Sequence, residues 1–279
     1  KETTVWFFES DGLPPGRNTE RDFERVFSSG DIREGKGSLR PFDGFKTLYR
    51  RHIKALLSRQ RPIKALVIAP TVLSEHLIVK NARGLERIFV GEDEIFVRKI
   101  SADGRSEQAY TPEQVKAVLT YVFGYFFGKV YLPYHYPFIC DEVARQNGFS
   151  VERLTLESEN RRLMYEITDM DIAAAILFRY LSLKQCSFGE IAAGLPSFSS
   201  LSRTVDISGS KAAIMRGLSE ESRQDGEFVE GIRLFFPGKS SGVLIVPEKC
   251  AERFRLYAEA ESMEAADEIC RFYEKKING

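Results

Sequence analysis

Two hydrophobic periods follow one another toward the C-terminal end of the chain. In Arg253–Ala260 (RFRLYAEA), Phe254, Leu256 and Ala258 share one face while Arg253, Arg255, Tyr257 and Glu259 share the other. That is the period of a strand in a sheet with one buried face. Gly231–Phe236 and Gly242–Pro247 read as two further strands, joined through a Gly238–Gly242 turn whose glycines suit positive φ. From the N-cap Ser262, the apolar residues Met263, Ala266, Cys270, Tyr273 and Ile277 recur at helical spacing. Acids come early in this helix (Glu264, Asp267, Glu268) and lysines late (Lys275, Lys276), as the helix dipole favours. The pattern predicts an antiparallel sheet covered on one face by helices.

Upstream, Thr3–Glu9 reads as a strand stopped at a Gly/Pro-rich turn, Glu20–Phe27 as a short helix, and Phe45–Leu57 as a longer one. Pro62–Pro70 is predicted as a buried strand, and Glu86–Val90 and Glu94–Ile100 as two strands flanking a charged turn. The helix Thr111–Phe126 opens with Thr111 as cap, Pro112 at its first position and Gln114 three residues after the cap. Lys129–Pro133, Phe138–Asn147 and Ser150–Leu156 follow as strand, helix and strand, which implies a right-handed parallel crossover. The helix Asp171–Leu183, the strand Arg203–Ser208 and the helix Gly209–Ser219 lead into the C-terminal stretch.

Composition changes this picture mainly by exclusion. The 279 residues carry 40 basic and 40 acidic side chains, so no bulk field favours nucleic acid or an anionic membrane. The cationic set Arg50, Arg51, Lys54, Arg59, Arg61 and Lys64 lacks interleaved aromatics and reads as a solvated face. No long apolar run or signal layout occurs, which leads to the expectation of a cytoplasmic chain. Cys140, Cys186, Cys250 and Cys270 are widely spaced, as are His52, His76 and His135, and neither set has metal-ligand spacing. Asp169 and Asp171 read as helix-capping acids. There is no P-loop, no GxGxxG opening a helix, and no nucleophile–base grouping to name as catalytic.

Several stretches carry a resemblance. Leu244–Ser262 (LIVPEKCAERFRLYAEAES) is similar to the last domain of the α-D-phosphohexomutases, the phosphomannomutases and phosphoglucomutases, where the segment typically reads LVRPSGTEPKLRVYVEAES. Leu244, Pro247, Arg255, Tyr257, Glu259 and Ala260 match without a gap. Val130–Gly148 resembles the third-domain pattern, with Pro133, Pro137, Ala144 and Gly148 in register. Thr168–Ala173 and Ser187–Pro196 resemble the elements that follow it, and Asp22–Arg25 with Asp31 and Ile32 resembles the segment linking the first two domains.

The resemblance implies mutase-like three-layer α/β/α domains, the second shortened, followed by an α+β domain with an antiparallel sheet. The expected division is a tail of an absent first domain plus linker (1–42), a shortened second domain (43–105), a third α/β domain (106–197) and the C-terminal domain (198–279). The lack of an initial methionine fits a fragment of a longer chain, although processing gives the same start. The family's functional loops are altered. Its Arg-Pro-Ser-Gly-Thr phosphate loop is Val246-Pro247-Glu248-Lys249-Cys250 here, which removes a guanidinium fork and introduces a carboxylate. Lys249, Arg253 and Arg255 are the remaining phosphate-binding candidates. Where the family holds Mg²⁺ on spaced aspartates, this chain has Glu92, Asp93 and Glu94, which read either as a charged hairpin turn or as a residual metal site. No cofactor is expected, and Mg²⁺ only if that site remains. The sugar-selecting glycine loop corresponds to Ser158–Thr168, which has no glycine.

Two functions stay open. One is a catalytically degenerate phosphohexomutase-like module, similar to the C-terminal halves of fused mannose-1-phosphate guanylyltransferase-like proteins. It would have a regulatory, ligand-binding or assembly role in sugar-nucleotide metabolism. The other is the C-terminal part of an active Mg²⁺-dependent mutase interconverting hexose 1- and 6-phosphates. The partners implied are a sugar phosphate or nucleotide sugar, an N-terminal nucleotidyltransferase domain and a second copy of the chain, with neither nucleic acid nor membrane.

Overall fold

The computed structural model describes residues 7–9, 12–30, 44–58, 61–63, 65–69, 73, 86–101, 104–221, 226–227, 229–236, 241–248 and 251–278. Helices α1 (Arg17–Ser29) and α2 (Gly44–Leu56) lead into a sheet of β1 (Leu66–Ile68), β2 (Glu86–Val90), β3 (Ile95–Ile100) and β4 (Glu107–Ala109), adjacent in that order. β1 runs parallel to β2, and the other pairs are antiparallel. Among the described residues, the strand predicted over Pro62–Pro70 shrinks to β1, which pairs with β2. The strand predicted over Thr3–Glu9 falls mostly outside the described residues.

Helix α3 (Pro112–Phe127) begins as its sequence dictates. The Thr111 hydroxyl accepts from the Gln114 N–H, and the Gln114 side chain accepts from the Thr111 N–H at 2.9 Å. It ends at Gly128, which takes φ 71°, a left-handed conformation that a side chain would strain. β5 (Lys129–Pro133), α4 (Ile139–Gln146) and β6 (Ser150–Leu154) form the parallel unit that the pattern predicts. A 3₁₀ turn at Arg161–Met164 precedes α5 (Tyr165–Thr168), α6 (Met170–Lys184) and α7 (Phe188–Ala193). α7 was not predicted, although its capping box, Ser187 with Glu190, was legible.

The C-terminal unit comprises β7 (Ser199–Asp206), α8 (Lys211–Glu221), β8 (Gly226–Glu227), β9 (Ile232–Phe236), β10 (Ser241–Pro247), β11 (Arg253–Ala260) and α9 (Met263–Asn278). Its sheet runs β7-β11-β10-β9-β8, antiparallel throughout. β7 starts four residues before its predicted position because it pairs with β11 out to Ser199 opposite Ala260. The chain is thus a mixed α/β protein with several sheets, closing on an antiparallel one.

Among the described residues two large apolar cores result, with a small cluster of Tyr134, Phe138 and Leu244 beside them. One joins α2, the first sheet, α3, β5, α4, α6 and α7 around residues such as Ile88, Val118, Leu132 and Phe178. The other lies between the C-terminal sheet and its helices, where Phe254, Leu256 and Ala258 are fully buried against Ala266, Cys270 and Tyr273. Cys140 and Cys270 are buried free thiols and Cys186 is a half-buried one, while Cys250 lies outside the described residues. Among the described residues no helix is long and apolar enough to cross a membrane.

The polar face of β11 departs from expectation. The alternation predicts an open face, yet Glu259 is only 5% exposed. Its carboxylate accepts the Phe138 and Ile139 N–H groups, both at 2.9 Å, at the start of α4. Those amides have no acceptor within their own helix, so a carboxylate from another element satisfies them and meets the helix dipole. Glu86 of β2 does the same for α7, accepting from Phe188 N–H at 2.8 Å and Gly189 N–H at 2.7 Å. Close approach is part of the design. A Cβ on Gly242 of β10 would sit 2.5 Å from the Phe138 ring.

Removing either carboxylate strands two amides in a dry contact. Glu86→Ala and Glu259→Ala are each expected to lower the unfolding free energy by about 1–3 kcal/mol, read by urea denaturation. Burial pushes the Glu259 carboxyl above its ordinary value, against the opposing pull of the Ile139 and Phe138 amides and of Arg233 and Arg153. A carboxyl whose folded pKa is raised stabilises fully below its unfolded pKa, and that contribution is lost as pH rises through the folded one. The native chain should therefore lose stability relative to Glu259→Gln as pH climbs out of the ordinary carboxylate range. Parallel urea curves across that window check it.

Candidate functional site

The outer face of the C-terminal sheet is a grid fixed by register. One row runs Ser202, Tyr257, Leu244, Arg233, and the next Ser200, Glu259, Gly242, Phe235. The loop after β5 covers half of this grid. Phe138 packs its ring 5.1 Å from Phe235, and the fully buried Arg233 lies 4.1 Å over Phe138. Arg233 donates to Asp141 at 2.8 Å and to the Tyr134 carbonyl at 2.9 Å. Arg153 reaches Asp141 at 2.6 Å and the carbonyls of Tyr134, Tyr136 and Pro137 at 2.9–3.0 Å. Two guanidiniums on one carboxylate and a ring of carbonyls hold the loop rigidly on the sheet.

The other half of the grid stays open as a cleft of about 360 Å³. Ser200, Ser202 and Tyr257 form its floor, and Lys116, His135 and Tyr136 form its wall. Its size and mixed polar and aromatic lining suit one small ligand. His135 is exposed at the mouth, yet the crowding walls push its pKa down, with the positive charges of Lys116 and then Arg153 adding to the effect. Lys116 sits 5.4 Å over the Tyr136 ring. A larger groove of about 580 Å³ runs along α9, but its lining is mainly apolar (Phe236, Ile269, Phe272).

From Tyr257 the polar face of β11 continues to Arg255 and Arg253, two of the phosphate-binding candidates. Glu248 takes both, accepting from Arg253 Nε at 2.5 Å and from Arg255 Nη2 at 2.6 Å. The Arg253 guanidinium, then that of Arg255, hold the Glu248 carboxyl below the usual range against its desolvation. Lys211 Nζ fixes the loop by donating to the carbonyls of Glu248 at 2.9 Å and Ala251 at 2.8 Å. Lys249 lies outside the described residues.

Glu92, Asp93 and Glu94 lie on the exposed β2–β3 turn, closed by the Gly91 N–H to the Glu94 carbonyl at 2.8 Å. Successive carboxylates there point apart, and among the described residues no three His, Cys, Asp or Glu side chains are grouped to hold a metal ion. The donor set does not fit Mg²⁺. The Ser158–Thr168 segment is occupied internally. The buried Arg161 binds Glu9 at 2.7 Å and the Leu156 carbonyl at 2.9 Å, and the Glu157 carboxylate accepts from the Arg17 N–H. Asp169 caps α6 by accepting from Ile172 N–H at 3.0 Å and also accepts from the Tyr49 hydroxyl at 2.7 Å.

This arrangement of units has solved counterparts. The chain superimposes on a phosphoglucomutase/phosphomannomutase family protein of Burkholderia thailandensis with a TM-score of 0.64, covering 93% of this chain and 69% of that one. The fold is that of the phosphohexomutases. N-acetylphosphoglucosamine mutase of Aspergillus fumigatus, solved with GlcNAc-6P and magnesium, superimposes with a TM-score of 0.52 over 82% of this chain and 69% of that one. Identities are 15% and 8%, so the likeness establishes the phosphohexomutase fold and not an activity. No protein-family model matches the sequence, and no curated protein does.

Within this fold, sequence reasoning reached the β11 arginines but missed the cleft. Lys116 and His135 show no shared pattern in the sequence, because only the packing of α3 and the β5–α4 loop against the C-terminal sheet brings them near Tyr257. Replacing Lys116 by Ala removes one positive neighbour from His135. Its imidazole pKa, followed by NMR, should rise but stay below the ordinary value, since the desolvating walls remain.

Proposed function

We propose that the chain is a phosphohexomutase-like module without phosphoryl-transfer chemistry of its own. It serves as the regulatory, ligand-binding or assembly part of a sugar-phosphate nucleotidyltransferase of the mannose-1-phosphate guanylyltransferase kind. The observation that carries this reading is Glu248. A sugar phosphate gripped by this loop needs Arg253 and Arg255, and an internal carboxylate already satisfies both. A dianion would have to displace that carboxylate and then meet its repulsion. The dispersed acids of the β2–β3 turn support the same reading, because phosphoryl transfer depends on cations positioned against the developing charge. The resemblance of the sequence to C-terminal halves of fused guanylyltransferase-like proteins supports the setting.

An assay of glucose 1-phosphate and mannose 1-phosphate conversion to the 6-phosphates, with Mg²⁺ and a hexose bisphosphate present, tests the first half. No turnover is expected, and turnover sinks the reading. Calorimetry with mannose 1-phosphate, glucose 1-phosphate and GDP-mannose, with and without Mg²⁺, tests the second. Glu248→Ala should bind the sugar phosphates at least about tenfold more tightly than the native chain, with Arg255→Ala abolishing the gain. Tight phosphate binding by the native chain that disappears on Arg255→Ala would restore an active phosphate loop.

A further inference from the structure

Among the described residues, the four-stranded sheet has one face on the core and large apolar side chains exposed on the other. Ile88, Val90, Ile95 and Val97 point into the core. The opposite face carries Leu66 (39% exposed), Ile68 (44%) and Phe96 (51%), with Phe89 half-buried between them. Register makes this a continuous row. Ile68 stands opposite Phe89 on β2, and Phe89 opposite Phe96 on β3. Three large apolar side chains thus cross three adjacent strands. The open face of a largely antiparallel sheet is normally polar, so an apolar row of this kind marks a contact surface.

The charges beside the row are ordered. On one side lies the turn with Glu92, Asp93 and Glu94, all exposed. On the other side Arg87 and Arg98 face each other across β2 and β3. Glu107 pairs with both, Arg87 at 2.5 Å and Arg98 at 3.3 Å, which leaves two guanidiniums against one carboxylate and a net positive end. Arg98 also lies 5.8 Å over the Phe89 ring, on the same face. Along β3 and the residue before it, Glu94, Phe96 and Arg98 follow at every second position, about 7 Å apart, in the order acid, apolar, base.

We propose that this face is the contact between two copies of the chain, packed sheet on sheet about a two-fold axis. The axis lies in the contact plane, perpendicular to β3, over the Ile68–Phe89–Phe96 row. It stacks each apolar row on its counterpart and sets Glu94 of each copy opposite Arg98 of the other. An isologous contact requires a patch complementary to itself, and an acid–apolar–base order reversed by the axis meets that requirement. The same order turned about an axis along β3 would set acid on acid, so the charges select one of the two arrangements.

Analytical ultracentrifugation of the 279-residue chain over a concentration series reads the outcome, with circular dichroism confirming that each variant is folded. The native chain should associate reversibly to the mass of two chains. Phe96→Asp and Arg98→Glu should each weaken association by about tenfold or more. The double variant Glu94→Arg with Arg98→Glu reverses the stripe but keeps it self-complementary, so it should regain most of the lost affinity. A chain that stays single at every concentration overturns the proposal. A dimer indifferent to Phe96→Asp overturns it as well, because the contact then lies elsewhere. Failure of the double variant to recover, where each single charge reversal weakens the dimer, overturns the two-fold arrangement.

Discussion

The contact on which this structure depends is a carboxylate closing on the first free amides of a helix from a distant part of the chain. A helix start offers N–H groups with no partner in their own helix and the positive end of a dipole. Glu259 and Glu86, both almost fully buried, each supply two acceptor oxygens to one such start. Apolar packing holds each core together but sets only loosely how one element turns against another. Two hydrogen bonds from one carboxylate fix position and direction together, and they do so at α4 and at α7. Neighbouring guanidiniums balance the charge at one of these points, with Arg233 and Arg153 drawn over the α4 loop and joined by Asp141.

Strand β11 shows how one period of two serves several ends. Its apolar residues, Phe254, Leu256 and Ala258, face the helices. Its polar residues lie on the other face, and along that face they do three different things. Glu259 holds α4, Tyr257 floors the cleft, and Arg255 with Arg253 meets Glu248. The cleft exists because the α4 loop covers only the half of the sheet around Arg233, Phe235 and Gly242. Phe138 reaches that half because Gly242 has no side chain to keep it away. Ser200, Ser202 and Tyr257 lie on the strands beyond its reach.

Much of this was legible in the chain. Alternation in Arg253–Ala260 and helical spacing after Ser262 located the C-terminal sheet and its helix, and the Thr111–Gln114 pair marked the start of α3 to the residue. Local patterns of this kind record local physics, namely which face is apolar and which amide is capped. Long-range partners leave no such record. Nothing local to Glu259 distinguishes a solvated acid from one buried on a helix 120 residues away, and nothing local to Lys116 or His135 announces a shared cleft. β4 is too short and too polar to show a period, and β7 gained four residues purely by pairing with β11. The loop was half legible. A carboxylate at position 248 was visible as an unfavourable neighbour for a phosphate, but its two-armed grip on Arg253 and Arg255 needed the hairpin geometry of β10 and β11.

That grip also explains how a scaffold can keep its shape while its loop changes. The residues that bind the C-terminal sheet to its helices lie on the inner face of β11, and those that meet the β5–α4 loop sit at Arg233, Gly242 and Glu259. Among the described residues, Glu248, Arg253 and Arg255 at the turn between β10 and β11 take part in neither. Two arginines left there without a ligand would repel each other across the same strand face, and Glu248 removes that repulsion within the hairpin, with Lys211 fastening the backbone on either side.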